Sequence, residues 1–205
     1  MKRISAVVPT STRLTTDVLV PEVDAVAACG AYHSRGAGRS TPWSKYLRLS
    51  KAPPTEDEER RAVFSTAARY FSRCILKETD LLKAAEVVVP VPANPNRYGD
   101  RMASLPDELA RGVERYLALR MLPNTIAWVP EMTYVEMKKL RRAERLHLST
   151  LTFRSGNQAG RVANRGVLLV DDIMTSGSTL RACARVLLDA GATHVVACCL
   201  VHTEG

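Results

Sequence analysis

Two stretches of this chain, Glu86–Val91 (EVVVPV) and Gly166–Val170 (GVLLV), are apolar at successive positions rather than at alternate ones. A strand written this way is covered on both faces, as strands inside a parallel sheet are. His194–Val201 (HVVACCLV) is a third of the kind, and a shorter strand is predicted near Ile126–Val129. Helical periods lie between them. From Thr55 a capping box with Glu58 opens a helix whose Phe64, Ala67, Ala68, Phe71 and Ile75 recur on one side and which is predicted to end near Lys77. A second helix takes Ser104 or a neighbour as its cap, with Leu109, Val113, Tyr116 and Leu117 on its apolar side. A third carries Leu180, Cys183, Ala184, Leu187 and Leu188 and is stopped by Gly191. Strands alternating with helices predict an α/β fold, a mostly parallel sheet with helices on both faces and its binding site at the carboxyl ends of the strands.

Composition narrows the function classes. With 205 residues, 46% of them apolar and 24% charged, the chain suits one core with an elaboration and does not suit a disordered, collagen-like or coiled-coil protein. No apolar run approaches the roughly 20 residues that cross a bilayer. The opening MKRISAVVPT meets polar residues and proline before a signal-peptide core can form, so a soluble, cytoplasmic protein is expected. The five cysteines, Cys29, Cys74, Cys183, Cys198 and Cys199, form no C-x-x-C pair and read as small buried hydrophobes. His33, His147, His194 and His202 form no i, i+4 pair, so no preformed metal site is expected.

The net charge of +8 is localised. Residues 1–54 hold eight basic and three acidic side chains, and residues 131–165 again eight and three, while the remainder is slightly acidic. Residues 32–52 place Arg35, Arg39, Lys45, Arg48 and Lys51 among Tyr32, Trp43 and Tyr46 without an acid, a pattern able to track phosphates and stack bases. The second segment is part helical in pattern around VEMKKLRRAERL and part polar loop around RSGNQAGRVANR. Its length marks it as functional or mobile.

The stretch that carries chemistry is Val167–Leu180, VLLVDDIMTSGSTL. A buried strand delivers Asp171 and Asp172 to the top of the sheet, and small hydroxylated residues lead into a helix N-terminus. Thr175, Ser176, Gly177, Ser178 and Thr179 can offer backbone N–H groups and hydroxyls to one anion where the helix dipole favours a phosphate. Gly177 allows close approach or a positive φ. Paired carboxylates beside such a turn suit the vicinal hydroxyls of a ribose, so one turn grips both ends of a ribose 5-phosphate.

Four hydrophobic residues, two acids, two hydrophobics and a hydroxyl-Gly-hydroxyl turn resemble the phosphoribosyl-diphosphate-binding motif of type I phosphoribosyltransferases. VVVPVPANPNRYGDRMASLPDELA is similar to the strand, loop and helix around their pyrophosphate loop. KKLRRAERLHLSTLTF, and more faintly AYHSRGAGRSTPWSKYLRLSKA, resemble segments of the ComF-like competence-protein branch, next to amidophosphoribosyltransferases. The resemblance implies a type I phosphoribosyltransferase-like fold with a core over residues 86–205 and a small N-terminal hood-like region over residues 1–85.

The same resemblance implies transfer of ribose 5-phosphate from phosphoribosyl diphosphate to a base or amine, with Mg²⁺ and release of pyrophosphate. Asp171 and Asp172 would be catalytic, Thr175 to Thr179 would hold the 5-phosphate, and Pro92, Ala93, Asn94, Arg97, Arg101, Lys138 and Lys139 would contact pyrophosphate. Mg²⁺ would be held through the substrate, near the acid pair. Thr175 stands where purine-salvage members carry an acid, and neither an N-terminal cysteine nor a four-cysteine zinc element is present, so the acceptor stays open. The alternative is a non-catalytic, ComF-like sensor of a nucleotide or sugar phosphate that binds nucleic acid through residues 32–52 and 138–145, or a protein partner. A homodimer is compatible with either.

Overall fold

The computed structural model describes residues 20, 22–32, 47, 57–76, 83–93, 104–129 and 152–203. Its elements are β1 (Ala25–Ala28), β2 (Ala31–Tyr32), α1 (Asp57–Ile75), β3 (Val87–Pro90), α2 (Leu105–Leu117), β4 (Arg120–Met121), β5 (Ile126–Trp128), β6 (Phe153–Ser155), a 3-10 turn (Ala159–Val162), β7 (Gly166–Met174), α3 (Ser178–Asp189) and β8 (His194–Thr203). Among the described residues the main sheet runs in the order β1-β8-β7-β3-β4, with β2 also on β8, and every pairing in it is parallel. The fold is therefore α/β.

The apolar strands are covered on both sides. Val88, Leu168, Val170, Val196 and Cys198 join a core with Phe64, Ala67 and Phe71 of α1 and Leu109 and Val113 of α2. Val87, Val89, Val167, Leu169, Val195, Ala197 and Cys199 join a second core with Leu180, Cys183, Ala184 and Leu187 of α3. Alternation of side chains along β3, over Val167–Val170 of β7 and over Val195–Leu200 of β8 sends neighbouring residues to opposite cores, which is why these stretches show no polar face. The two helices over the first face lie close: a Cβ on Gly112 of α2 would stand 2.8 Å from Ala68 Cβ of α1.

The expected helices form. α1 buries Phe64, Ala67, Ala68, Phe71 and Ile75 and stops at Ile75, two residues before the expected end. The capping box of Thr55 and Glu58 lies outside the described side chains. Ser104 caps α2 by accepting from the Asp107 backbone N–H at 3.2 Å. The Asp107 carboxylate in turn accepts from the Ser104 backbone N–H at 3.3 Å. Tyr116, expected on the apolar side of α2, is 47% exposed and stays at the surface in the last turn of the helix.

Three expectations are corrected. The strand predicted over Gly166–Val170 continues to Met174, because β8 continues to Thr203 beside it and the ladder pairs Asp171 with Cys199, Ile173 with Val201 and Met174 with His202. The strand near Ile126–Val129 is not in the main sheet; it pairs antiparallel with β6 in a separate ribbon. The stretch RSGNQAGRVANR, Arg154–Arg165, expected as polar loop, supplies part of β6 and the 3-10 turn. Trp128 and Phe153 meet edge to face across the ribbon, with ring centroids 5.1 Å apart, and Ile126 and Phe153 complete the core over α3.

Most of residues 1–85, the expected hood-like region, lies outside the described residues. Of the rest, β1 and β2 pair with β8, and α1 packs into the first core.

Candidate active site

β3 and β7 are neighbours, but the chain leaves them in opposite directions. It leaves β3 through α2 to β4 on one flank, and β7 through α3 to β8 on the other. The crevice outside the carboxyl ends of two such strands is where an open α/β sheet binds its ligand. The Val91 N–H donates to the Val170 carbonyl at 2.8 Å, so the β3 exit at Val91, Pro92 and Ala93 lies beside Asp171 and Asp172. Pro92 and Ala93 are half-buried there. Asn94, Arg97, Arg101, Lys138 and Lys139 lie outside the described residues, as do residues 33–46, 48–52 and 138–145 of the two basic segments.

Both acids lie within β7 itself, three and two residues before its end at Met174. Asp171 is buried at 7% exposure and Asp172 is half-buried. The Asp172 backbone N–H donates to Asp171 Oδ1 at 2.8 Å. Two thiols register the Asp171 charge: burial first, then that carboxylate, pushes Cys183 of α3 and Cys199 of β8 well above the ordinary thiol range.

After Met174 the chain turns through Thr175 and Ser176, both exposed, to Gly177, the N-cap of α3. Gly177 has φ +73°, the left-handed region that only glycine enters without strain. What comes close to it is not open space: a Cβ there would stand 2.6 Å from Val20 Cγ2. No side chain caps α3, and its first turn contains no acid. Ser176 and Ser178 do not cap it either; their hydroxyls bond to each other at 3.1 Å. The helix thus presents its positive end and its first N–H groups without a carboxylate of its own.

Residues 113–205 match the model of the phosphoribosyl transferase domain. That range contains the acid pair, the 175–179 turn, α3 and β8, and it supports the likeness to type I phosphoribosyltransferases over the C-terminal part of the chain. The mainly parallel α/β sheet is consistent with such a domain. β1, α1, β3 and the β3 exit precede the matched range. No curated protein matches the chain.

Sequence reasoning missed the residues that support the turn from behind. Glu22 Oε2 accepts from Arg181 Nε at 2.7 Å, Glu22 Oε1 accepts from Arg181 Nη2 at 3.2 Å, and Arg185 Nη1 stands 3.8 Å from Glu22 Oε1. A contact spanning 159 residues leaves no mark in local spacing.

Regarding metal binding, among the described residues no three His, Cys, Asp or Glu side chains converge to hold an ion. Asp171 and Asp172 supply hard oxygen donors of the type Mg²⁺ prefers, but only as partners to oxygens brought by a ligand. Among the described residues, no helix is long and apolar enough to cross a membrane.

Proposed function

We propose that the protein transfers ribose 5-phosphate from phosphoribosyl diphosphate to a base or amine and releases pyrophosphate. One observation carries the reading: at the crevice between β3 and β7, Asp171 and Asp172 lie near the end of β7, one short turn ahead of a helix N-terminus that no side chain caps. The N–H groups and hydroxyls of Thr175 to Thr179 hold the 5-phosphate, whose charge the helix dipole favours. Asp171 and Asp172 take the ribose hydroxyls, and their charge stabilises the cationic sugar as the bond to pyrophosphate lengthens. Pro92 and Ala93 leave β3 beside the acid pair, and the sequence resemblance assigns pyrophosphate to them together with Asn94, Arg97, Arg101, Lys138 and Lys139. Mg²⁺, when bound with the donor, neutralises charge on the leaving group. The ComF-like branch, and the cytoplasm as the place of action, belong to this reading on the sequence alone.

The test is to incubate protein, Mg²⁺ and phosphoribosyl diphosphate with a panel of bases and amines and to measure pyrophosphate release. Release dependent on one acceptor and lost in Asp171→Asn/Asp172→Asn is expected. No release from any acceptor, with ribose 5-phosphate still bound, would favour the non-catalytic sensor instead.

A further inference from the structure

A phosphate-binding helix end faces a conflict. Its N–H groups must stay open for the ligand, yet an uncapped helix end frays. In α3 the usual devices are missing: the N-cap is a glycine, no side chain caps it, and the first turn carries no acid. Arg181, in the fourth helical position, adds a cation where the dipole disfavours one.

We infer that Val20 and residues 22–24 act as a lateral strap that positions the 175–179 turn for phosphate, replacing a cap without occupying the N–H groups. The inference rests on the function proposed above. Val20 is buried at 5% exposure in the core over α3, and its side chain fills the space beside Gly177. Glu22 holds Arg181 through two hydrogen bonds, one turn into the helix, and draws Arg185 to the same carboxylate. Both guanidinium charges are thereby answered from the side of the helix rather than at its end.

The far end of the strap is fixed to the sheet. The Asp24 N–H donates to the Val195 carbonyl at 2.8 Å, and the Val195 N–H donates to Asp24 Oδ2 at 3.0 Å. The Val23 N–H donates to the Val20 carbonyl at 3.1 Å, closing a turn in which Glu22 adopts φ +67°. A glutamate held in the left-handed region costs free energy that the surrounding contacts must offset, and such residues gather where a conformation serves function. Val20 and Glu22 are positioning residues in this account: they touch the turn and its helix, and no substrate.

The experiment compares wild type, Glu22→Ala, Glu22→Gln and Arg181→Gln by two readouts. Amide hydrogen exchange without ligand reports order in residues 177–181, and calorimetric titration with ribose 5-phosphate reports affinity well below the unfolding temperature. Glu22→Ala and Arg181→Gln are expected to speed exchange at the start of α3, leave β7 and β8 amides protected, and weaken ribose 5-phosphate binding about tenfold, within the loss that small displacements of a binding group produce. Glu22→Gln keeps a carbonyl acceptor for Arg181 and should recover part of that affinity. A contact that matters for stability alone would lower the melting temperature and leave the dissociation constant unchanged, and that result overturns the strap. Wild type that binds no ribose 5-phosphate overturns the proposed function and the strap's role with it. Wild-type binding with unchanged variants overturns the strap alone.

Discussion

The backbone N–H of Asp172 donates to Oδ1 of its neighbour Asp171 at 2.8 Å, so one carboxylate of the pair is oriented by the strand that carries both. The two acids are therefore not equivalent. Asp171 is buried, while Asp172 is half-buried. Asp172→Asn keeps the backbone donor and the shape but removes a charge that the proposed function places near the sugar. It is expected to lower kcat/KM for phosphoribosyl diphosphate by at least about 100-fold, the scale of removing one electrostatic group aimed at developing charge, with the circular dichroism spectrum unchanged.

Gly177→Ala is predicted to destabilise the protein by about 1–3 kcal/mol. The added Cβ must adopt φ +73° and would stand 2.6 Å from Val20 Cγ2. Urea denaturation measures the loss. In Val20→Ala/Gly177→Ala the steric part should be relieved and the backbone part should remain, so the double variant should lose less stability than the sum of the single losses.

Ser104 closes a reciprocal cap with Asp107 at the start of α2. Ser104→Ala is expected to cost about 1 kcal/mol, the ordinary loss for a cap, read as a lower denaturation midpoint with an unchanged m-value. Ser104→Asp should lose less, because aspartate also accepts at this position.

Burial pushes the Cys29, Cys183 and Cys199 thiols well above the ordinary value of 9.0. In the unfolded chain these thiols ionise near that value, while in the folded protein they stay protonated. The folded state then binds more protons, so their contribution to stability is complete below about pH 9 and falls as pH rises above it. Urea midpoints measured from pH 7 to pH 10.5 should decline at the alkaline end, and Cys183→Ala should flatten the decline. A thiol-specific reagent at pH 8 should label these cysteines only after unfolding.

Sequence alone determined the parts of this protein that depend on neighbours in the chain. Unbroken apolar runs marked β3, β7 and β8, and 3.6-residue periods marked the three helices, because burial on both faces of a sheet or on one side of a helix writes directly into composition. The spacing of Asp171, Asp172 and the 175–179 turn was legible for the same reason: strand, turn and helix start are consecutive. Tertiary structure decided what distant segments contribute. That β7 runs on to Met174 depends on β8 lying beside it, and that β5 forms a ribbon with β6 depends on a partner 25 or more residues away. Val20 behind Gly177 and Glu22 on Arg181 could not be read from either segment, since a contact across 159 residues follows from how β1 joins β8 and has no local period to announce it.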